Sequence, residues 1–157
     1  MPSAVPSDDP QNDPQKGAAP SSDRARASPQ PGSEGAGLEA SERLAWTIAR
    51  AADEAKASDI VLLRVNEVCY LADYFILGSG SSKTQVRAIS DAIQARVASQ
   101  LAQQPVRLEG ESERSWIVQD YGDAIAHILL PQERDFYNIE AFWGHAERID
   151  FVPGVGG

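Results

Sequence analysis

Two short runs, Asp59-Ile-Val-Leu-Leu-Arg-Val65 and Tyr74-Phe-Ile-Leu77, are almost continuously apolar. A strand with one wet face would alternate, and a surface helix would show a stripe every three or four residues, so both runs read as strands covered on both faces. A link containing Glu67, Cys69 and Tyr70 joins them. After the second, Gly78-Ser-Gly-Ser-Ser82 turns the chain into a long helix. Ser82 with Gln85 three residues on forms a capping box, and Val86, Ile89, Ile93, Val97 and Leu101 follow as the core stripe.

The same logic extends in both directions. Leu44, Ile48, Ala52 and Ala55 recur at helical spacing and predict an amphipathic helix over Leu38 to Ala57. Trp46 sits about 200° round from Leu44 on that helix, on a second face. It either packs against the sheet edge or the chain's own tail, or makes a self-association contact. Pro105 stops the long helix and Val106 to Leu108 offers a short strand. Trp116 to Tyr121 and Ala124 to Leu130 then read as two strands joined through Gly122-Asp123, a dipeptide that takes positive φ readily. Pro131 suits the first turn of a last helix, with Phe136, Ile139 and Trp143 on its buried side and Gly144 at its end. The order of elements predicts an α/β fold, a mixed sheet of four or five strands with flanking helices.

Composition separates this domain from what precedes it. Residues 1–37 are Pro, Ser, Ala, Gly, Asp and Gln with hardly a large apolar side chain, too little to offset the entropy of ordering, and read as a disordered leader. Residues 38–150 form the domain, and 151–157 a flexible tail. Of the net charge of −9, the leader's three cations and five acids account for −2, leaving −7 for the rest. An acidic domain repels phosphate backbones, which argues against nucleic acid as a direct partner and for basic proteins. The single Cys69 excludes an intrachain disulfide and fits a reducing compartment. No apolar run reaches the ~18 residues of a membrane span, and the N-terminus lacks the apolar core of a secretory signal, so the expected location is the cytoplasm.

Chemistry-bearing motifs are scarce. Gly78 to Thr84 lies where a phosphate loop would lie and ends in Lys-Thr, but Leu77 and Ser82 stand at the two required glycines. Nucleotidyl transfer needs two metal-holding carboxylates one position apart beyond such a turn, and only Asp91 is in the window. Glu109 and Glu111 have that spacing but sit in a polar loop. His127 lies inside an apolar strand and His145 after a helix end, neither with a second ligand at metal spacing nor a Ser or Cys to activate. Cys69 reads as packing rather than as a nucleophile.

Residues 109–123 hold five acids, one base, Trp116 and Tyr121 on what reads as an exposed hairpin. Strand alternation puts Trp116, Val118 and Asp120 on one face and Ile117, Gln119 and Tyr121 on the other. The first face either docks onto a basic protein, with the indole as anchor and the acids selecting the partner, or is covered by the last helix.

Three segments, Asp59 to Val65, Tyr70-Leu-Ala-Asp-Tyr-Phe75 leading to Gly78 through Arg87, and Trp116-Ile-Val-Gln-Asp-Tyr-Gly-Asp123 through His127 to Tyr137, together resemble the ribosomal silencing factor family, also called the Iojap or RsfS family. The similarity covers about Leu38 to Arg148. It implies a nucleotidyltransferase-like topology without catalysis or cofactor. It also implies binding to the large ribosomal subunit through its basic protein fourteen, which keeps the small subunit from joining and slows translation when nutrients are short. On the matching positions the contact would involve Trp116, Asp120, Tyr121 and Asp123, to which strand geometry adds Val118 and His127. Family members are often homodimers, which keeps Trp46 a candidate self-contact. Gln119 and the Pro-rich leader are not family hallmarks. The competing reading is a nucleotide-binding or nucleotidyltransferase-like enzyme using the Gly78 to Thr84 turn.

Overall fold

A computed structural model describes residues 33–69 and 71–153. The chain divides into two units, Met1–Glu39 and Ala40–Gly157. Of the first, only the start of helix α1 (Ser33–Glu54) is described; the expected leader lies outside the described residues as far as position 32, and α1 begins five residues before the expected Leu38.

The second unit is built on one six-stranded sheet: β1 (Ser58–Arg64), β2 (Tyr74–Ser79), β3 (Arg107–Glu109), β4 (Trp116–Asp120), β5 (Ala124–Leu129) and β6 (Glu147–Asp150), in the order β3-β4-β5-β2-β1-β6. Only β2 and β5 run parallel; the other pairs are antiparallel. The fold class is the expected one, but the strand count exceeds the expected four or five. The addition is β6, whose Glu147-Arg148-Ile149-Asp150 has one apolar residue and pairs with β1 at an edge.

The central strands are apolar throughout because both their faces are covered. On one face α1 and α2 (Lys83–Leu101) pack Leu44, Ile48, Ala52, Val86, Ile89, Ile93 and Val97 against Leu62, Ile76, Ile117, Ala126 and Ile128. On the other face Val61, Leu63, Phe75 and Leu77 form a smaller cluster under Ile139 and Trp143. Each fully buried aliphatic side chain contributes about 1.5–3 kcal/mol, so the α1–α2 face supplies most of the stability.

Trp46 joins that larger core. It is 6% exposed and its ring lies 5.8 Å from Phe151. The self-association contact at Trp46 is therefore corrected: the indole is already used against the chain's own C-terminal segment. Phe151 also donates its amide to the Ile60 carbonyl, so it belongs to the fold rather than to the expected tail.

α2 starts as its sequence predicts, with the Ser82 hydroxyl accepting from the Gln85 amide at 3.1 Å. The Gln85 side chain reaches back one residue further than a standard box, to the Ser81 amide at 2.7 Å. Gly80 is small because the turn presses on the helix: a Cβ there would lie 2.9 Å from Val86 Cγ2 and 3.0 Å from its amide nitrogen. The helix ends at Ala102, in the left-handed region, ahead of Pro105.

The last helix departs from expectation. It breaks into α3 (Pro131–Tyr137) and α4 (Ile139–Phe142), with Asn138 between them at φ 46°. Phe136 consequently points away from the core and is 79% exposed, while Ile139 and Trp143 do turn inward. Arg134 braces the break: it donates to the Ser79 hydroxyl at 3.0 Å and to both carboxylate oxygens of Glu140 at 3.1 and 2.8 Å. That bidentate pair ties α3 to α4 and both to β2. Beside it opens a cleft of ≈ 720 Å³ whose two arginines, Arg134 and Arg148, are both already paired with acids.

Candidate docking surface

β4 carries the predicted alternation. Ile117 and Gln119 turn to α2 and are fully buried; Trp116, Val118 and Asp120 turn to the opposite face and are half-buried. The polar Gln119 is tolerated in the core because its partners are complete. Its amide donates to the Ser90 carbonyl and hydroxyl at 2.8 and 2.7 Å, and its oxygen accepts from the Tyr121 hydroxyl at 2.7 Å.

This network removes Tyr121 from the surface. The ring is 6% exposed and the phenol is spent inside, where burial pushes its pKa well up. The expected exposed hairpin is thus corrected at this position: Tyr121 belongs to the α2 face with Ile117 and Gln119. Asp120 and Asp123 also serve the turn. Asp120 Oδ1 accepts from the Gly122 amide at 2.8 Å, Gly122 has φ 90°, and the Asp123 carbonyl accepts from the Asp73 and Tyr74 amides.

On the Trp116 face the sheet register places Val118 opposite His127 and Trp116 opposite Leu129. The Trp116 indole N–H donates to His127 Nδ1 at 3.2 Å. From that bond a chain of rings runs both ways. Trp116 meets Tyr137 at 4.8 Å and Tyr137 meets Phe136 at 4.9 Å; His127 meets Phe75 at 5.2 Å, Phe75 meets Trp143 at 5.3 Å, and Trp143 meets Phe142 at 5.1 Å. The middle is buried at Phe75 and half-buried at Trp116, His127 and Trp143, while the ends are open: Phe136, Tyr137 and Phe142 are 79%, 39% and 77% exposed. The last helices, α3 and α4, cover the centre of this face and leave an aromatic rim exposed. Glu109, opposite Val118 in the register and paired with Arg107 at 3.9 Å, Glu113, three residues before Trp116, and Asp135, next to Phe136 in the chain, are exposed acids.

Phe136 was expected on the buried side of the last helix, and Tyr137 and Phe142 were given no surface role from the sequence. Their signal was two adjacent aromatic pairs, Phe136-Tyr137 and Phe142-Trp143, around an Asn that can take the left-handed region. A continuous helix cannot bury both pairs.

His127 Nε2 is shut off from water without a hydrogen-bond partner, and burial pushes the imidazole down to about 4. Because the folded value lies below the ordinary 6.5, the unfolded chain takes up the proton first as pH falls. Stability from this group is therefore present above pH 6.5, erodes below it and is gone by pH 4, a loss of about 3 kcal/mol. Glu140, held low by its hydrogen bond from Arg134, adds a further loss below its ordinary 4.5. Denaturant unfolding at several pH values should show this slope, and His127→Asn should remove the part between 6.5 and 4.

Among the described residues no cluster of three or more His, Cys, Asp or Glu is placed to hold a metal, and no helix is long and apolar enough to cross a membrane. Asp91 pairs with Arg87 at 3.1 Å on the surface of α2. In the Gly78 to Thr84 turn the Gly80 amide donates to the Leu129 carbonyl and the Ser81 amide to Gln85. Cys69 is half-buried and its sulfur accepts from the Leu71 amide, while Tyr70 lies outside the described residues. His145 is exposed.

A six-stranded α/β domain whose sheet carries an internal aromatic chain with exposed ends has the form of a binding module. The family described as "ribosomal silencing factor during starvation" matches residues 38–155. The ribosomal silencing factor RsfS of Bacillus subtilis is 36% identical over 107 residues, covering 68% of this chain and 90% of that one. A mouse protein named for mitochondrial assembly of the ribosomal large subunit is 29% identical over 89 residues, 55% of this chain and 39% of that one. A crystal structure of a Chromobacterium violaceum protein superposes with a TM-score of 0.63 at 30% identity, covering 73% of this chain and 92% of that one. The chain belongs to the ribosomal silencing factor family.

Proposed function

We propose that this protein binds the large ribosomal subunit, through its basic protein fourteen, and blocks association with the small subunit by occupying the space that subunit needs, so repressing translation under nutrient limitation. The observation that carries this reading is the aromatic rim. Phe136 and Tyr137 stand in solvent beside a half-buried Trp116, next to exposed acids, on a chain of this family. Exposed aromatics of this kind act as anchors at interfaces, and a rim of one sign selects a partner of the other. Trp116, Val118, Asp120, Asp123 and the α3 aromatics are the proposed contact; Tyr121 supports it from inside. The proposed place of action is the cytoplasm, and the proposed homodimer uses a surface other than the buried Trp46.

Inhibition by exclusion requires no reaction, only a bound domain that leaves slowly. The acids make the encounter salt-sensitive: affinity for purified large subunits should fall about tenfold or more as salt rises from ~0.05 to ~0.5 M. A flat response would make the acids bystanders. The enzyme alternative has little to work with, because the Gly80 and Ser81 amides are committed within the fold. Thermal unfolding with magnesium and each nucleoside triphosphate should show no stabilisation; a rise at sub-millimolar nucleotide would favour that alternative.

A further inference from the structure

Resting on the reading of Trp116 as the anchor, we infer that His127 is its positioning residue: the imidazole holds the indole in its binding orientation through Nδ1 and does not itself touch the partner. The indole has two neighbours that fix it. Tyr137 packs against it at 4.8 Å with its ring tilted by 47°, and His127 Nδ1 accepts its N–H at 3.2 Å. The first is an exposed, adaptable contact; the second is directional and comes from the centre of the sheet, where β5 pairs with both β4 and β2.

Three observations give the histidine this role. Its Nδ1 must be the unprotonated nitrogen to accept the indole proton, which leaves the proton on Nε2. Nε2 is sealed from solvent with no acceptor, an arrangement that costs stability and is what remains when a ring is placed for its other nitrogen. Phe75 packs edge-on at 5.2 Å, so the imidazole is held from the side opposite the indole and is not free to turn away. Burial also keeps the ring neutral, and Nδ1 an acceptor, throughout the range in which ribosomes work. A phenylalanine would fill the same space without the acceptor. An asparagine would lose volume but keep an oxygen close to where Nδ1 lies.

The test uses the full chain with His127→Phe, His127→Asn and Trp116→Ala. Indole N–H resonances in ¹H–¹⁵N spectra report the hydrogen bond, and binding to purified large subunits reports the function. His127→Phe should move the Trp116 indole resonance and speed its exchange with solvent, leave Trp46 and Trp143 in place, and weaken binding about tenfold. His127→Asn should restore both readouts to within about threefold of the parent. In a double variant, Trp116→Ala should make the His127→Phe change silent for binding. Two results would overturn the inference: an unmoved indole resonance in His127→Phe, or parental binding by His127→Phe while Trp116→Ala is impaired. If Trp116→Ala itself binds normally, the docking surface has failed, and the inference falls with it by a separately identifiable route.

Discussion

Replacing Trp116 by alanine is expected to weaken binding to large ribosomal subunits by about 2 kcal/mol or more, roughly thirtyfold, with the fold retained. The size follows from position. Trp116 joins the exposed Phe136–Tyr137 end of the aromatic chain to half-buried His127 and buried Phe75. Its removal takes away indole area and leaves Tyr137 without the ring it packs against, so the exposed end loses its backing. The core survives because Ile117 and Gln119, not Trp116, fill the space against α2. Co-sedimentation with subunits, alongside a melting curve, separates the two effects. A well-folded variant with parental affinity would remove this face from the account.

Gly110→Ala should damage the fold itself. Gly110 has φ +87°, and a Cβ built on it would lie 2.0 Å from the Trp116 carbonyl oxygen and 3.0 Å from its carbonyl carbon. That oxygen is backbone within β4 and cannot swing aside as a side chain would. The turn must open, although the Arg114 amide closes it by donating a hydrogen bond to the Gly110 carbonyl at 2.8 Å. Strain at positive φ and the overlap together should cost about 3–5 kcal/mol, a fall of about 10 °C or more in Tm. Because the turn carries Glu111 and Glu113 and leads into Trp116, loss of binding should accompany loss of stability. A melting temperature within about 2 °C of the parent would show that the turn relaxes and that its shape is not fixed by this contact.

Much of the fold can be read from local pattern, because the forces that build it are local. The apolar runs became β1 and β2, the Ser82 cap begins α2, and Gly122 turns between β4 and β5. Tertiary choice decided the rest. Nothing in Glu147 to Asp150 marks a strand; the free edge of β1 recruits it. The break at Asn138 depends on Arg134 finding Ser79 and Glu140, partners 55 and 6 residues away. Alternation separated Trp116 from Ile117, Gln119 and Tyr121, but not which helix covers each face: α2 buries Tyr121, which the hairpin and the family motif put outside, and the break between α3 and α4 exposes Phe136, expected inside. Trp46 illustrates the same limit, since its neighbour Phe151 is distant in sequence. Charge and aromatic content suggested a docking surface, whereas the exposed aromatics Phe136 and Phe142 follow from the break between α3 and α4.

On the proposed function the bound domain acts as an obstacle. Light scattering during the joining of purified large and small subunits tests it most directly. With the protein at a modest excess over large subunits, joining should be suppressed, and with Trp116→Ala at the same concentration it should return towards its uninhibited extent. Full-yield joining in the presence of saturating parental protein would contradict the account.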